Sequence, residues 1–324
     1  MSFVVITDTS ANIPTELAQI KKIQIMEFPC YLDGKPYHYK DTAAFRAEEY
    51  YTAIKKGAVG TTSQIRPQDY MEFFEPWLKQ GSDIICLTMA SGISGTCNSA
   101  NIAAKELQEQ YPERRIEIID SLSASLGTGL IALAAADLRE EGLATEEAAV
   151  RLRETVQRVF SIFTVDDLMH LKRGGRISNL SAVIGMVLQI KPILKGSEEG
   201  KIVAFAKVRG RKQSIMTLAQ MYDKLVKDPE KQTVGIAHAF CREDAEMLAD
   251  LVRKNKPPRE ILFVDYEPST GAHVGPGGLA LFFEGEEGIR TYNGESITKV
   301  VRQAVTKAGE RLPHFKGSAS SESS

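Results

Sequence analysis

Three short runs combine hydroxyl residues with glycine, a composition that offers backbone and side-chain donors to a ligand. They are Gly60-Thr61-Thr62-Ser63-Gln64, Ser91-Gly92-Ile93-Ser94-Gly95-Thr96 and Gly271-Ala272-His273-Val274-Gly275-Pro276-Gly277-Gly278. The second lies between an apolar, strand-like run (Asp83–Leu87) and a helical pattern over about Ser94–Gln110. A strand end feeding a helix N-terminus leaves unpaired N–H groups and the positive end of the helix dipole, which attract an anion. The run contains no lysine and does not fit GxxxxGK followed by Ser or Thr, so nucleoside triphosphate is disfavoured. A small, singly charged anion such as a carboxylate fits better, although plain N-capping by Ser or Thr would leave the same pattern. His273, set among glycines near a proline, could donate to a ligand or act as a general base. The bland alternative is an exposed loop histidine.

Two basic turns follow. Lys172-Arg173-Gly174-Gly175-Arg176 reads either as a helix C-terminus with its cations and glycine cap or as a contact for phosphate or an acidic partner. Lys207, Arg209, Arg211 and Lys212 form a second patch. Gly127-Thr128-Gly129-Leu130-Ile131-Ala132 fits GxGxxA but lies inside a helical pattern, so it reads as close helix packing. Asp166 and Asp167 are neighbours that would point apart on a helix, and they read as a helix start. Cys30, Cys86, Cys97 and Cys241 are scattered without a CxxC pair, so neither a disulfide framework nor a metal site is expected.

The elements that must hold these residues alternate in the first half. Strand-like runs at Phe3–Thr7, Asp83–Leu87 and Ile116–Ile119 are separated by helical patterns at Arg46–Lys56, Pro67–Lys79 and about Ser94–Gln110. Ile23–Leu32 and Lys35–Tyr39 suggest a hairpin across Asp33-Gly34. Two further helices break at Gly142, with Thr145 expected as an N-cap. This alternation predicts a mainly parallel sheet covered on both faces. The second half reads differently. It has strands at Val159–Val165, Ile190–Leu194, Lys201–Val208, Val234–Phe240, Ile261–Tyr266 and Leu279–Phe283, and the loop Gly271–Gly278. Short helices are expected at about Asp166–Lys172 and Asn179–Leu188, and longer ones up to Val226, at Glu243–Lys254 and at Ser296–Glu310. The expectation is a two-domain α/β fold. Residues 1–157 form an α/β domain with a mainly parallel sheet, 158–312 a mixed α/β sheet domain, and 313–324 a disordered polar tail.

The 324 residues suit about two domains. With 40 Lys plus Arg against 42 Asp plus Glu, net charge is -2, which lacks the basic field of a nucleic-acid binder. MSFVVITDTS has no basic n-region before an apolar stretch, and no apolar run approaches a spanning helix. A soluble, cytoplasmic protein is expected.

In order, Thr7-Asp8, Ile13-Pro14, Tyr31-Leu32-Asp33-Gly34, Thr62-Ser63-Gln64, Ser94-Gly95-Thr96, Ile119-Asp120-Ser121, Leu171–Ile177, Ile190–Leu194, Val208-Arg209 and His273 with Gly275-Pro276-Gly277 resemble the DegV family of bacterial fatty-acid-binding proteins. The match covers about residues 1–283. It departs where Ile65 and Arg66 intervene before Pro67, and at Ser91-Gly92 and Ala272. The resemblance implies that Thr62 and Ser94 hydrogen-bond the carboxylate of a long-chain fatty acid such as palmitate or oleate, with Gly95 and His273 close by. It implies no other cofactor, no metal and no catalytic residues. The partner would be the catalytic subunit of a fatty acid kinase, facing Arg173, Arg176 and Arg209, and the role leaves room for transient contact with a membrane surface. Two other readings stay open: an esterase or acyltransferase using Ser94 and His273, although Ser94 is not in a GxSxG elbow, and a regulatory module for another small acid.

Overall fold

Strand-length apolar runs separated by helices cannot pair as tight hairpins, so those of the first half lie side by side in parallel. In the computed structural model, which describes residues 3–177 and 189–293, the chain runs through β1 (Phe3–Asp8), α1 (Thr15–Ile20), β2 (Ile23–Met26), β3 (Cys30–Leu32), β4 (Lys35–Pro36), α2 (Ala47–Lys55), β5 (Gly60–Thr62), α3 (Pro67–Lys79), β6 (Asp83–Thr88), α4 (Thr96–Gln110), β7 (Ile116–Asp120), α5 (Leu126–Glu140) and α6 (Thr145–Arg158). A parallel sheet takes the order β2-β1-β6-β7. Its strands alternate their faces. Val5, Ile85 and Leu87 pack with Ile131, Ala132 and Leu152 of α5 and α6, while Ile6, Ile84 and Cys86 pack with Phe74, Ala103 and Leu107 of α3 and α4. Both faces are covered, as a parallel sheet requires. A small antiparallel sheet, β4-β3-β5, flanks it. Its turn, Asp33-Gly34, has φ of 50° and 74°, the primed geometry expected of Asp-Gly.

The second half adds β8 (Val159–Thr164), α7 (Met169–Arg173), β9 (Ile190–Gly196), β10 (Ile202–Arg209), α8 (Arg211–Leu225), β11 (Thr233–His238), α9 (Arg242–Asn255), β12 (Glu260–Asp265), α10 (Pro268–Val274) and β13 (Leu279–Glu284). The sheet order is β10-β9-β8-β13-β11-β12. Only β11 and β12 pair in parallel; the other neighbours are antiparallel. The mixed α/β architecture is therefore the one expected. Every strand of the parallel sheet precedes residue 121, and every strand of the mixed sheet follows residue 158.

Helix α5 joins the two layers. It touches β1 and β6 of the first sheet and β8, β11 and β13 of the second. Five of its eight buried positions are glycine or alanine: Gly127, Gly129, Ala132, Ala135 and Ala136. A Cβ at Gly129 would lie 2.5 Å from the Ala11 carbonyl oxygen. The GxGxxA run is thus a packing device, as its helical setting suggested.

Four local expectations change. Ile23–Leu32 is not one strand: it breaks over Glu27–Pro29, where Pro29 has no N–H for a ladder, so β2 joins the parallel sheet and β3 the small one. Thr145 is the first helical residue, not the cap; Ala144 holds the cap position, and the Thr145 hydroxyl donates to Asp83 Oδ2 at 2.7 Å. Asp166 starts no helix; it pairs with Lys191 at 2.7 Å, and α7 begins at Met169, whose N–H donates to Asp167. The run Gly271–Gly278 is helical through Val274. Pro268 in the first turn and the Glu267 carboxylate, which accepts from the Ser269 and Thr270 N–H groups, start α10, and the chain leaves it at Gly275 with φ of 70°. The helix expected at Asn179–Leu188, the helix at Ser296–Glu310 and the tail lie outside the described residues.

Replacing Gly129 by alanine would gain up to about 1 kcal/mol of helix propensity on an open surface. Overpacking against a backbone oxygen costs about 1–3 kcal/mol. The expected result for Gly129→Ala is a net loss of stability by urea denaturation, and a gain would contradict the packing.

Candidate functional site

Thr62 ends β5, whose register against β3 sets Thr62 opposite Cys30. His273 stands in the last turn of α10. The two meet across 211 residues of chain, with Thr62 Oγ1 at 2.8 Å from His273 Nε2. Gly174 makes the imidazole's seat, because a Cβ there would lie 2.3 Å from His273 Nδ1. Burial, and then the charge of Arg176, lower the His273 pKa from its ordinary 6.5 to about 4, so the ring is neutral near pH 7. A neutral imidazole keeps one N–H to donate.

Ser94 stands at the turn into α4. Its hydroxyl donates to Thr96 Oγ1 at 2.9 Å and accepts from the Thr96 N–H at 3.2 Å. Gly95, not Ser94, holds the cap position of α4, and among the described residues Ser94 makes no hydrogen bond to Thr62 or His273. Gly95 sits under Gln64, whose side-chain oxygen leaves no room for a Cβ. Gln64 also donates to Ser99 Oγ at 3.3 Å. The strand bearing Thr62 is in this way tied to the turn bearing Ser94 and Gly95.

Arg176 closes the arrangement from the other half. Its Nε donates to the Ile93 carbonyl at 3.2 Å, beside Ser94, and another nitrogen donates to the Gly174 carbonyl. Arg173 is exposed. Thr62, His170, Arg173, Gly174, Arg176 and His273 line a cavity of about 230 Å³. Arg209, exposed at the end of β10, is not in its wall. His170, read from sequence as structural, does line the cavity, and burial followed by Arg173 lowers its pKa. A second cavity of about 60 Å³ has Ile93, Phe163, Ile202, Val274 and Phe282 in its wall. A larger cleft, about 1130 Å³, is lined by Arg153, Lys227 and Glu286 among others and contains none of these residues. Among the described residues no cluster of His, Cys, Asp and Glu could hold a metal ion, and no helix is long and apolar enough to cross a membrane.

One supporting group escaped the sequence reading. Glu267 is fully buried and caps α10, and it also accepts from the Tyr39 hydroxyl. Its only sequence signal is an acid directly before Pro268-Ser269, which resembles many exposed helix starts.

A sequence model described as an uncharacterised protein of the DegV family matches residues 2–286. The chain belongs to the DegV family. A DegV domain-containing protein of Clostridium perfringens is 39% identical over 285 residues, covering 88% of this chain and 98% of that one. Among solved structures, DegV of Bacillus subtilis, described as a fatty-acid-binding protein, is 29% identical with a TM-score of 0.75, covering 88% of this chain and 100% of that one. A fatty-acid-binding DegV family protein of Streptococcus agalactiae is 28% identical with a TM-score of 0.78, covering 88% and 99%. Both of these solved relatives are described as binding fatty acid.

The His273 shift has a sign that can be measured. Between pH 6.5 and about 4 the unfolded chain protonates this ring while the folded chain does not. Stability should therefore fall as pH is lowered through that window, by on the order of 3 kcal/mol from this group. Urea denaturation of His273→Gln should show a shallower fall over the same window. An identical slope would remove His273 as its source.

Proposed function

We propose that this protein carries one long-chain fatty acid, such as palmitate or oleate, and presents its carboxylate to a fatty acid kinase for conversion to an acyl-phosphate. The observation that supports this reading most is the hydrogen-bonded Thr62–His273 pair, beside the Arg176 guanidinium, together with the apolar cavity that has Ile93 and Val274 in its wall. A carboxylate leaving water needs several donors. Thr62, neutral His273 and the N–H groups around Ser94 and Gly95 are the donors assigned to it, and Arg176 balances its charge. Burying ~16 methylenes at about 0.8 kcal/mol each is worth on the order of 13 kcal/mol before ordering and association costs. Hydrocarbon supplies the affinity, and the polar groups fix which end faces outward.

The protein supplies substrate in this reading and no catalytic residue. Ser94 gives its hydroxyl proton to Thr96 and not to an imidazole, so the pair an esterase would need is not preassembled. The kinase would approach the outer cavity and meet Arg173, with Arg209 further along the same half and Arg176 holding the Ile93 carbonyl behind them. We place the carrier in the cytoplasm, in transient contact with a membrane surface when it exchanges lipid. We also place the domain boundary at 157/158, where α6 passes into β8.

Denatured, purified protein should release a fatty acid detectable by mass spectrometry; no extracted acid together with no binding of added oleate or palmitate would sink the carrier reading. Thr62→Ala should weaken fatty acid binding by about 1–3 kcal/mol, the loss of one buried donor, as read by titration calorimetry. Arg173→Ala and Arg209→Ala should leave lipid affinity in place while slowing phosphorylation by a cognate kinase. Wild-type turnover in both would remove them from the kinase contact.

A further inference from the structure

The cavity of Thr62 and His273 is lined by a second histidine, His170, and the two rings pack in the same way. Gly174 ends α7, which carries His170, and a Cβ there would lie 2.3 Å from His273 Nδ1. Gly275 ends α10, which carries His273, and a Cβ there would lie 2.3 Å from His170 Cδ2. Each ring thus rests on bare backbone at the end of the other's helix. Only His273 also has a hydrogen-bond partner for its ring among the described residues, the Thr62 hydroxyl. The His170 ring is half-buried, and neither of its nitrogens is an enclosed atom, unlike Nδ1 of His238. It is held in place by packing, with its polar atoms uncommitted.

The wall around it is one-sided in charge. Arg173 and Arg176 stand in it, and none of its described residues is Asp or Glu. The cleft that holds Arg153, by contrast, contains Glu154, Glu284, Glu286 and Glu287 as well. At about 230 Å³ the cavity is smaller than the roughly 300–1,000 Å³ of pockets that enclose a whole ligand, so it suits an anionic head group and not a chain.

Burial and then Arg173 lower the His170 pKa, and Asp167 pulls the other way. Arg176 and His273 are the other charged or titratable groups in the wall, and β5 brings Thr62 and no charge. The empty site therefore keeps this ring neutral at pH 7. A bound carboxylate would supply the anion that the wall lacks, and an opposite charge close by favours the protonated ring. His273, with a pKa of about 4, stays neutral over the same range.

On the carrier reading proposed above, we infer that His170 is the second histidine of the head-group site, donating to the outward-facing oxygen of the bound acid and taking up a proton from solvent as the acid binds. Thr62 and His273 hold the acid without a change of protonation, and His170 answers its charge.

The test uses the full-length chain stripped of bound lipid and titrated with oleate at pH 6.5. Calorimetry in two buffers of different ionisation enthalpy should show proton uptake on binding. His170→Gln should remove most of that uptake and weaken oleate binding by up to about tenfold, the worth of one pK unit. His170→Tyr keeps a flat ring and a donor without a basic nitrogen; it should bind oleate without the uptake, and it covers the case of a glutamine variant that does not fold. The chain has five histidines, so ring-proton NMR gives a second reading: the signal lost in these variants should titrate below pH 6.5 in the stripped wild type and above it with oleate bound. No uptake by the wild type, uptake that persists in the variants, or a His170 signal that oleate does not move overturns the inference and leaves the carrier reading standing. Failure of the wild type to bind oleate would instead overturn the carrier reading itself.

Discussion

The carboxylate of Glu267 has no exposed surface, and burying a charge is costly unless its oxygens are well bonded. Here they accept from the Ser269 hydroxyl and N–H at 2.6 Å, from the Thr270 N–H at 2.9 Å and from the Tyr39 hydroxyl. Burial raises its pKa while these bonds pull the other way. Tyr39 in turn accepts from Thr9, whose hydroxyl also accepts from the Phe28 N–H. One buried group thus caps the helix that carries His273 and ties that helix to the end of the first strand. The same region holds Asp8, fully enclosed, with its pKa pushed up to about 7 by burial. The union of the two halves depends on Glu267 being satisfied, because that carboxylate left bare would cost several kcal/mol, whereas Asp8 accepts from the Ser10 N–H through Oδ1 and its Oδ2 has no partner among the described residues.

Around the seam the packing is built from small residues. Helix α5 lies against both sheets because glycine and alanine on its buried faces let backbone approach backbone. Arg290 performs a comparable task at the other side. Its buried guanidinium donates to the carbonyls of Val159 at 2.7 Å and Ser197 at 3.0 Å, and to that of Leu122. Burial lowers its pKa from 12.5 to about 10, which still leaves it charged at neutral pH, and these partners are backbone carbonyls, not carboxylates, with that of Val159 at the end of α6. A polar lattice of this kind fixes the loops that surround the inner cavity while leaving the cavity itself open to a guest.

On the proposed reading, the site would work by division of labour. Strands and helices of the first half supply hydroxyls and helix-turn N–H groups, and the second half supplies the imidazole and the guanidinium. Neither half alone offers enough donors for a carboxylate. A ligand head group would bridge them, and its chain would follow the apolar gap between the two layers.

Much of this was legible without coordinates. Alternation of strand-like and helical runs predicted the parallel sheet, because local periodicity decides which faces must be buried. The bounds of α3 match the expected Pro67–Lys79, where proline, acid and base mark the ends. The ordered motifs placed Thr62, Ser94, Gly95 and His273 around a fatty-acid carboxylate, and of these Thr62 and His273 are joined by a direct hydrogen bond. What local pattern could not decide were contacts made across long separations. Glu267 looks like any acid before a proline until its burial is known. Gly174 looks like a helix cap until His273 is seen packed against it. Pro29 splits one apolar run between two sheets, a choice that depends on which neighbours compete for each half. Whether His170 stands in solvent or in the wall of a shared cavity likewise follows only from how the two layers close. Sequence by itself determined element type and the identity of the chemical groups, because both are local properties of residues. The tertiary structure decided which groups meet and how far each is removed from water, because burial and partnership exist only once distant segments pack.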